Sequence, residues 1–234
     1  MTKKELNQLP LNPIIFNTVV TSDLGEKVAN NYGVEVEKTL TGFKFIGDKI
    51  KKYQKTLEKN FVFGYEESYG YLVEPFVRDK DALQACVLIA EAIAYYKSKG
   101  LTLVDVLNAL YDKYGYHLEE QMSLSLKGEA GSLKIKAILE HFRNASILEF
   151  SGIKVKAKED YQLSYREENG LKTELAFPKS DVIKYFLKDG SWIAIRPSGT
   201  EPKMKFYFCV LGQDQAEAHT KFGALNEALK LHLV

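Results

Sequence analysis

The segment RPSGTEPK, residues 196–203, combines residue types that bind phosphate groups. Arg196 can donate two parallel hydrogen bonds to one anion, and the hydroxyls of Ser198 and Thr200 are further donors. Gly199 carries no side chain, so the backbone amides around it can approach an anion closely. The segment lies between two apolar runs that are typical of strands. It is either an anion-binding loop or an ordinary Pro/Gly turn between two strands, and its composition leaves both interpretations open.

A second segment, GYEESYG at residues 64–70, directly follows a short apolar run. Ligands of α/β sheets commonly bind beyond the carboxyl ends of strands. The adjacent carboxylates of Glu66 and Glu67 and the hydroxyl of Ser68 could form hydrogen bonds with neighbouring hydroxyls of a sugar. The alternative is a solvated acidic loop between two glycines.

Two further segments place cations next to the ends of predicted elements. The segment TGFK, residues 41–44, connects a strand to a helix, so Lys44 either faces an anion or is a surface lysine. The segment RDKD, residues 78–81, starts with Arg78 and is typical of a helix cap with solvated charges. No group of carboxylates in the sequence has the spacing of a Mg²⁺ loop, so we expect no metal ligands in this chain.

Hydrophobic periodicity predicts the elements of the first half. Strands are expected at residues 14–20, 34–40 and 61–63. Helices are expected after Thr21 or Ser22, and at residues 43–53, 81–99 and 102–115. This alternation indicates an α/β layer with crossover connections. The long apolar stretch at residues 85–96, which includes Cys86, predicts a buried helix.

The second half is richer in strands, which are expected at residues 123–126, 153–157, 161–165, 171–177, 192–195 and 204–211. The Glu-Glu-Asn-Gly stretch at residues 167–170 predicts a hairpin turn. A helical stripe covers residues 135–142, Ser180 is predicted to cap a short helix that ends near Gly190, and an amphipathic helix closes the chain. These patterns indicate an α+β domain. We place the boundary after residue 117, which gives domains at residues 1–117 and 118–234.

Composition excludes several classes of function. Lys and Arg number 32 against 31 Asp and Glu, so the net charge of +1 gives no electrostatic reason to expect a nucleic-acid partner. Cys86 and Cys209 lie in apolar runs, which predicts buried thiols without a disulfide framework and fits a cytoplasmic location. The N-terminus is polar, and the longest apolar stretch is too short to span a membrane.

Taken together and in order, four segments resemble one family: TGFKFIGDKI, GYEESYGYL, VRDKDAL and RPSGTEPKMKFY. They are similar to blocks of the last two domains of the α-D-phosphohexomutases, the phosphoglucomutase/phosphomannomutase family. The resemblance covers essentially the whole chain, and the pair GYEESYG and RPSGTEP is its specific part. It implies an α/β sheet domain (family domain 3) followed by a smaller α+β domain (family domain 4) with a TATA-box-protein-like appearance.

The resemblance also implies roles for individual residues. Glu67 and Ser68 would contact the sugar hydroxyls, and the full predicted sugar-binding set is Lys44, Glu66, Glu67, Ser68, Tyr69 and Arg78. In that set Glu66 and Tyr69 shape the loop. The non-transferring phosphate would be bound by Arg196, Ser198, Gly199, Thr200, Lys203 and Lys205. Many family members have a lysine after the first strand of domain 3, whereas residues 16–19 here read FNTV, so the resemblance leaves a contact from Asn17 in doubt.

Family members move a phosphoryl group between the 1- and 6-positions of a hexose through a phosphoserine and a bisphosphate intermediate, with Mg²⁺ and glucose 1,6-bisphosphate as cofactors. The family's phosphoserine and Mg²⁺ motifs do not occur in this sequence. The resemblance therefore implies the substrate-binding half of a mutase, inactive alone, whose partners are a hexose phosphate and the missing N-terminal domains. Alternatives are a non-catalytic sugar-phosphate-binding module and half of a phosphopentomutase. The sequence does not separate glucose from mannose or pentose phosphates.

Overall fold

The computed structural model describes residues 7–198 and 202–233. The chain divides into two compact units, Met1–Tyr114 and Gly115–Val234. The predicted boundary after residue 117 falls inside a strand that begins at Tyr116. Gly115, with φ at +86°, makes the turn between the last helix of the first unit and that strand.

The first unit is built on a four-stranded sheet: β1 (Pro13–Thr18), β2 (Glu35–Thr39), β3 (Asn60–Glu66) and β4 (Gly70–Leu72). Its strand order is β2-β1-β3-β4, with β1 parallel to both neighbours and β4 antiparallel to β3. The parallel pairing brings the carboxyl ends of β1 and β3 side by side. This edge of the sheet holds the GYEESYG segment.

Helices flank this sheet: α1 (Leu24–Asn31), α2 (Phe43–Thr56), α3 (Ala82–Lys97) and α4 (Leu103–Tyr114). The predicted apolar stripe of α2 packs on one face of the sheet, where Ile46 and Ile50 meet Ile14 and Phe16 in a fully buried core. The three predicted strands and the helix at residues 43–53 are therefore confirmed.

The prediction of a buried helix at residues 85–96 is wrong in one respect. The helix exists as α3, and the Asp81 carboxylate caps it by accepting hydrogen bonds from the amides of Leu83 and Gln84. None of its residues is buried, however, and Cys86 is exposed. A largely apolar helix is buried only where neighbours cover every side, and the main contacts of α3 among the described elements are with β4 and α4. In residues 7–198 and 202–233, no helix combines the length and hydrophobicity needed to cross a membrane.

The second unit contains an antiparallel sheet of order β5-β12-β11-β10-β7-β8-β9, with β6 paired to β7. Its strands are β5 (Tyr116–Ser125), β6 (Glu149–Phe150), β7 (Ile153–Asp160), β8 (Tyr165–Glu168), β9 (Leu171–Glu174), β10 (Ile183–Leu187), β11 (Trp192–Pro197) and β12 (Lys203–Gly212). The predicted hairpin turn is confirmed, because Asn169 and Gly170 between β8 and β9 both have positive φ, at 53° and 77°.

Two helices, α5 (Gly128–Asn144) and α6 (Gln215–Lys230), belong to the second unit. Ile138 and Phe142 of α5 and Leu225 of α6 pack with Ile195 and Phe206 of the sheet in one buried core. Cys209 on β12 is buried, as predicted. The α/β and α+β fold class expected from the sequence is thus confirmed.

Two element predictions in this unit are wrong. The segment after Ser180 forms the strand β10 and not a helix, because it lies in mid-sheet between β7 and β11. Residues 161–164 form a turn and not a strand. The buried Asp160 carboxylate holds that turn by accepting hydrogen bonds from the amides of Gln162 and Leu163, both at 3.0 Å.

A buried ion pair fastens α5 to the sheet. The Arg143 guanidinium donates to Asp160 at 3.0 Å, and it also contacts the exposed carboxylates of Glu140 and Asp181. Asp160 is fully buried, so this guanidinium is the counter-charge that its burial requires. The Lys158 ammonium satisfies the carbonyls of Phe142 and Arg143 at the end of the helix.

Candidate functional site

The carboxylate of Glu67 is held at the carboxyl edge of the first sheet by two hydroxyls. Thr18 Oγ1 donates to Glu67 Oε2 at 2.8 Å, and Thr21 Oγ1 lies 3.3 Å from the same oxygen. The two threonine oxygens are 2.9 Å apart, and both residues are buried. The other carboxylate oxygen, Oε1, has no donor among the described residues. Glu67 is therefore oriented by one oxygen and can accept a ligand hydroxyl with the other.

Glu66 connects the GYEESYG segment to the TGFK segment. Its Oε1 accepts a hydrogen bond of 2.9 Å from the backbone amide of Gly42, immediately before α2. The side chain is buried, and this burial raises the pKa of its carboxyl above the usual range, with a smaller contribution from the charge of Glu67. The Gly42 amide acts in the opposite direction. Glu66 thus fixes the end of β3 against the start of α2.

Lys80 is the cation beside Glu66. A Cβ added to Gly70 would lie 3.1 Å from both Glu66 Oε2 and Lys80 Cδ, so the two side chains flank this glycine. The ammonium of Lys80 lowers the pKa of Glu66, partly offsetting the effect of burial. Gly70 pairs with Glu66 across the β3–β4 hairpin, and a larger residue there would displace one of the two side chains.

The tip of that hairpin carries the remaining predicted sugar contacts. Ser68 is exposed, and Tyr69 is 86% exposed with φ at 61°. A left-handed backbone is uncommon for a residue with a Cβ, and it tightens the turn that presents the Ser68 hydroxyl to solvent.

Three other residues that the sequence singled out also belong to the first unit, and each contacts a different neighbouring side chain. Lys44 is exposed, with its Nζ 4.9 Å from the ring centroid of Phe45. The Arg78 guanidinium donates to Gln54 Oε1 at 2.8 Å on the surface of α2. Asn17 is buried and donates to the hydroxyl of Tyr65 at 3.2 Å, while its Oδ1 has no partner in the described part of the chain.

The second unit presents three cations at the RPSGTEPK segment. Arg196 on β11 lies opposite Lys205 on β12, and Lys203 is two residues before Lys205. Since adjacent strand residues alternate between faces, these side chains lie on the face opposite Ile195 and Phe206, which belong to the helix-covered core. A single cationic row thus borders the loop.

The ends of this loop are fixed by backbone hydrogen bonds. The Ser198 amide donates to the Lys203 carbonyl at 2.7 Å, and the Leu126 amide donates to the Pro202 carbonyl at 3.0 Å. The flanking strands β11 and β12 confirm the predicted hairpin. Two predicted phosphate ligands, Gly199 and Thr200, lie outside the described residues.

The described residues do not fit a metal ion of their own. No group of three or more His, Cys, Asp or Glu side chains in residues 7–198 and 202–233 is arranged to hold one. The carboxylates of Glu66 and Glu67 are engaged instead with a backbone amide and with threonine hydroxyls.

Sequence reasoning missed Thr18, Thr21 and Lys80. Thr21 was expected only as a possible cap of α1, but its hydroxyl faces Glu67. A signal did exist, because hydroxyl residues directly after a predicted parallel strand lie at the edge where ligands bind. The pairing of β1 with β3, which the sequence did not specify, was needed to use that signal.

Comparisons with known proteins agree on one family. Residues 1–114 match the model of phosphoglucomutase/phosphomannomutase, alpha/beta/alpha domain III, and residues 152–220 match that of the phosphoglucomutase/phosphomannomutase C-terminal domain. A phosphoglucomutase of Staphylococcus aureus (strain MRSA252) is 40% identical over 214 residues, which cover 91% of this chain and 38% of that protein. A phosphoglucomutase of Staphylococcus saprophyticus is 36% identical over 212 residues, which cover 90% of this chain and 38% of that protein.

Solved structures share the fold. The Paramecium phosphoprotein pp63/parafusin, a phosphoglucomutase in its open form, superposes with a TM-score of 0.61 at 22% identity, over 94% of this chain and 36% of its own. A phosphoglucomutase/phosphomannomutase family protein from Burkholderia thailandensis gives a TM-score of 0.55 at 16% identity, over 99% of this chain and 40% of its own. The chain thus spans about two fifths of the length of the proteins it matches.

Proposed function

Because the chain belongs to the phosphoglucomutase/phosphomannomutase family, of which it carries domain III and the C-terminal domain, we propose that it is the sugar-phosphate-binding half of a mutase. The reaction of the whole enzyme is the interconversion of hexose 1-phosphate and hexose 6-phosphate. The observation that carries this proposal is the fixed carboxylate of Glu67, which has one oxygen bound by Thr18 and the other available to a ligand.

The sugar loop would recognise hydroxyl groups. Glu67 Oε1 accepts from one hydroxyl, and the exposed hydroxyl of Ser68 can accept from or donate to a neighbouring one. The buried Glu66 carboxylate accepts a hydrogen bond from the Gly42 amide. This bond fixes the start of the segment that carries Glu67 and Ser68 before a sugar binds. Preorganisation of this kind lowers the entropic cost of binding.

The cationic row would bind the phosphate that is not transferred. Arg196 matches two phosphate oxygens with two parallel N–H donors, while Lys203 and Lys205 add charge without fixing direction. The hydrogen bonds at Ser198 and Pro202 hold both ends of the loop. Binding by the chain alone should be weak, because exposed ion pairs are screened by solvent and salt.

The chemistry of phosphoryl transfer would belong to the part of the enzyme that this chain does not span. In the whole enzyme, Mg²⁺ held outside this chain would neutralise charge on the transferred phosphoryl group, and glucose 1,6-bisphosphate would supply the phosphorylated state. This chain contributes positioning of the sugar and its phosphate, which accounts for much of catalysis in phosphoryl transfer. A non-catalytic sugar-phosphate-binding module is the second candidate, favoured by the absence of phosphoserine and Mg²⁺ motifs from the sequence.

Two measurements on the purified chain test the proposal. A coupled assay with glucose 1-phosphate, Mg²⁺ and glucose 1,6-bisphosphate should detect no conversion, and NMR should show saturable binding of glucose 6-phosphate. The Glu67→Ala variant should bind glucose 6-phosphate more weakly than wild type does, with its affinity for inorganic phosphate unchanged. Equal responses to glucose 6-phosphate in Glu67→Ala and wild type would exclude a sugar-binding role for Glu67. Turnover by the chain alone would exclude the proposal that it is only half of an enzyme.

A further inference from the structure

Strand β5 carries hydroxyl groups on the same face of the second sheet as the cationic row. The β5 residues that pack against the helix-covered core are Met122, Leu124 and Leu126. Successive residues of a strand point to opposite faces of its sheet. Ser123 and Ser125 therefore lie on the face away from the helices, and both are exposed. The two hydroxyls share a surface with the predicted phosphate-binding cations.

The register between β12 and β5 sets Ser123 opposite Lys205 and Ser125 opposite Lys203. The next position toward the loop is a hydrogen-bonded pair, in which the Leu126 amide donates to the carbonyl of the residue opposite at 3.0 Å. Hydrogen-bonded and non-hydrogen-bonded pairs alternate along an antiparallel ladder. The two Ser–Lys pairs are therefore of the non-hydrogen-bonded kind, in which opposite side chains are closest to each other.

Arg196 lies on the other side of the same strand. It is opposite Lys205 in the pairing of β11 with β12, so Arg196, Lys205 and Ser123 form one line across three adjacent strands. The Cα atoms at the two ends of such a line are about 10 Å apart, which is twice the spacing of neighbouring strands. A phosphate above β12 can therefore be contacted by the long guanidinium from one side and by the short hydroxyl from the other.

The charges on this face favour an anion in that position. Arg196 and Lys205 are like charges directly opposite each other, an arrangement that is unfavourable in a sheet. Among residues 7–198 and 202–233, neither of them forms an ion pair with a carboxylate. A phosphate between them removes the repulsion. The lysines attract it without fixing its direction, whereas a serine hydroxyl on a strand has little freedom and does fix it.

We propose that Ser123 and Ser125 are further phosphate-binding residues, whose hydroxyls donate to the phosphate of a sugar phosphate held by Arg196. This rests on the proposed function, which places a phosphate at the cationic row. Arg196 binds two phosphate oxygens in parallel, and the β5 hydroxyls bind the oxygens that face the edge of the sheet. The site then extends across β11, β12 and β5 and is not confined to the RPSGTEPK segment.

Matched substitutions test the proposal in the intact chain. Ser123→Thr and Ser123→Val introduce side chains of nearly the same shape, and only the threonine keeps a hydroxyl. The same two substitutions are made at Ser125, and both residue types suit a strand. NMR titration measures the binding of inorganic phosphate and of glucose 1-phosphate. The control is Thr173→Val, which removes an exposed hydroxyl from β9 at the other edge of the same sheet.

Each valine variant should bind phosphate about fivefold more weakly than its threonine counterpart, because a typical hydrogen bond contributes about that factor. The threonine variants and Thr173→Val should bind as wild type does. Equal affinities of the matched valine and threonine variants overturn the proposal, whether both equal wild type or both are weaker, because the hydroxyl then makes no contribution.

The same titrations separate this proposal from the function on which it rests. If Arg196→Ala loses phosphate binding while the matched valine and threonine variants agree, only the role of β5 fails. If wild type binds neither inorganic phosphate nor a sugar phosphate, the proposed function fails together with it.

Discussion

The hydroxyl of Thr18 donates to Glu67 Oε2 at 2.8 Å and thereby joins the end of β1 to the GYEESYG segment at the end of the parallel strand β3. The bond is partly buried, and the hydroxyl of Thr21 lies 3.3 Å from the same carboxylate oxygen. Thr18 is a positioning residue in this arrangement, since its hydroxyl acts through the carboxylate of Glu67.

Thr18→Val should therefore weaken sugar-phosphate binding without affecting inorganic phosphate. The variant keeps the shape of the side chain but removes the donor, so Glu67 gains freedom. A loss of about tenfold in affinity for glucose 6-phosphate is expected, since a hydrogen bond to a charged group is worth roughly 1.5 kcal/mol and about 1.4 kcal/mol is a factor of ten. NMR titration measures this, with Thr173→Val as the control because that exposed hydroxyl donates to the Arg166 carbonyl on β8 of the second unit.

A double variant separates positioning from stability. In the Glu67→Ala background, Thr18→Val should cause no further loss, because the group that it orients is gone. Equal additional losses in both backgrounds would contradict the positioning role.

Removing the Arg143 guanidinium should be strongly destabilising. Arg143→Ala leaves the fully buried carboxylate of Asp160 without its counter-charge, and loss of one partner of a buried pair costs about 3–5 kcal/mol. Glu140→Ala removes an exposed partner of the same guanidinium and should cost less than about 1 kcal/mol. Urea unfolding of both variants provides the comparison, and similar costs would show that the Asp160 contact is not the main one.

Acid should loosen the C-terminal end of the second unit. Burial, followed by the neighbouring His141, lowers the pKa of His232 below its usual value of 6.5, and the two rings share a hydrogen bond of 3.3 Å. When the pKa of a His is lower in the folded state than in the unfolded state, the folded state is favoured above the unfolded-state pKa. This contribution is lost as the pH falls through the folded-state pKa. Amide exchange at residues 231–233 should therefore accelerate below about pH 6.5 relative to the core.

His141→Gln tests the cause. It removes the neighbouring charge and keeps a hydrogen-bonding group, so the pKa of His232 should rise but remain below its usual value, because burial is the larger cause. NMR titration of the imidazole measures this pKa. An unchanged or lower value in the variant would show that His141 does not contribute.

The sequence was sufficient for elements whose periodicity shows one buried face. Helix α2 and the β11–β12 hairpin belong to this group, as does the Asn169-Gly170 turn, whose residue types match its positive φ angles. The GYEESYG and RPSGTEPK segments were also identified, since strand ends and glycines delimit them.

The sequence was insufficient where an element's type or burial depends on which other elements pack against it. Strand β10 is buried at four of its five positions, so it shows no alternation that distinguishes a strand from a helix. The exposure of α3 depends on what packs against it, and composition cannot supply that. Thr18 and Glu67 are 49 residues apart, and only the parallel pairing of β1 with β3 brings them together.

The most direct test of the central claim is an NMR titration of the chain with glucose 1-phosphate and with inorganic phosphate. Wild type should show saturable shifts at the amides of residues 198–200, and Lys136→Ala, an exposed site on α5, should match it. Arg196→Ala should abolish most of the binding, and Arg196→Lys should restore only part of it, because an ammonium cannot reproduce the paired donors of a guanidinium. Both Arg196 variants should stay folded. Unchanged wild-type shifts at residues 198–200, or equal affinity in Arg196→Ala, would contradict the account and leave this segment an ordinary turn.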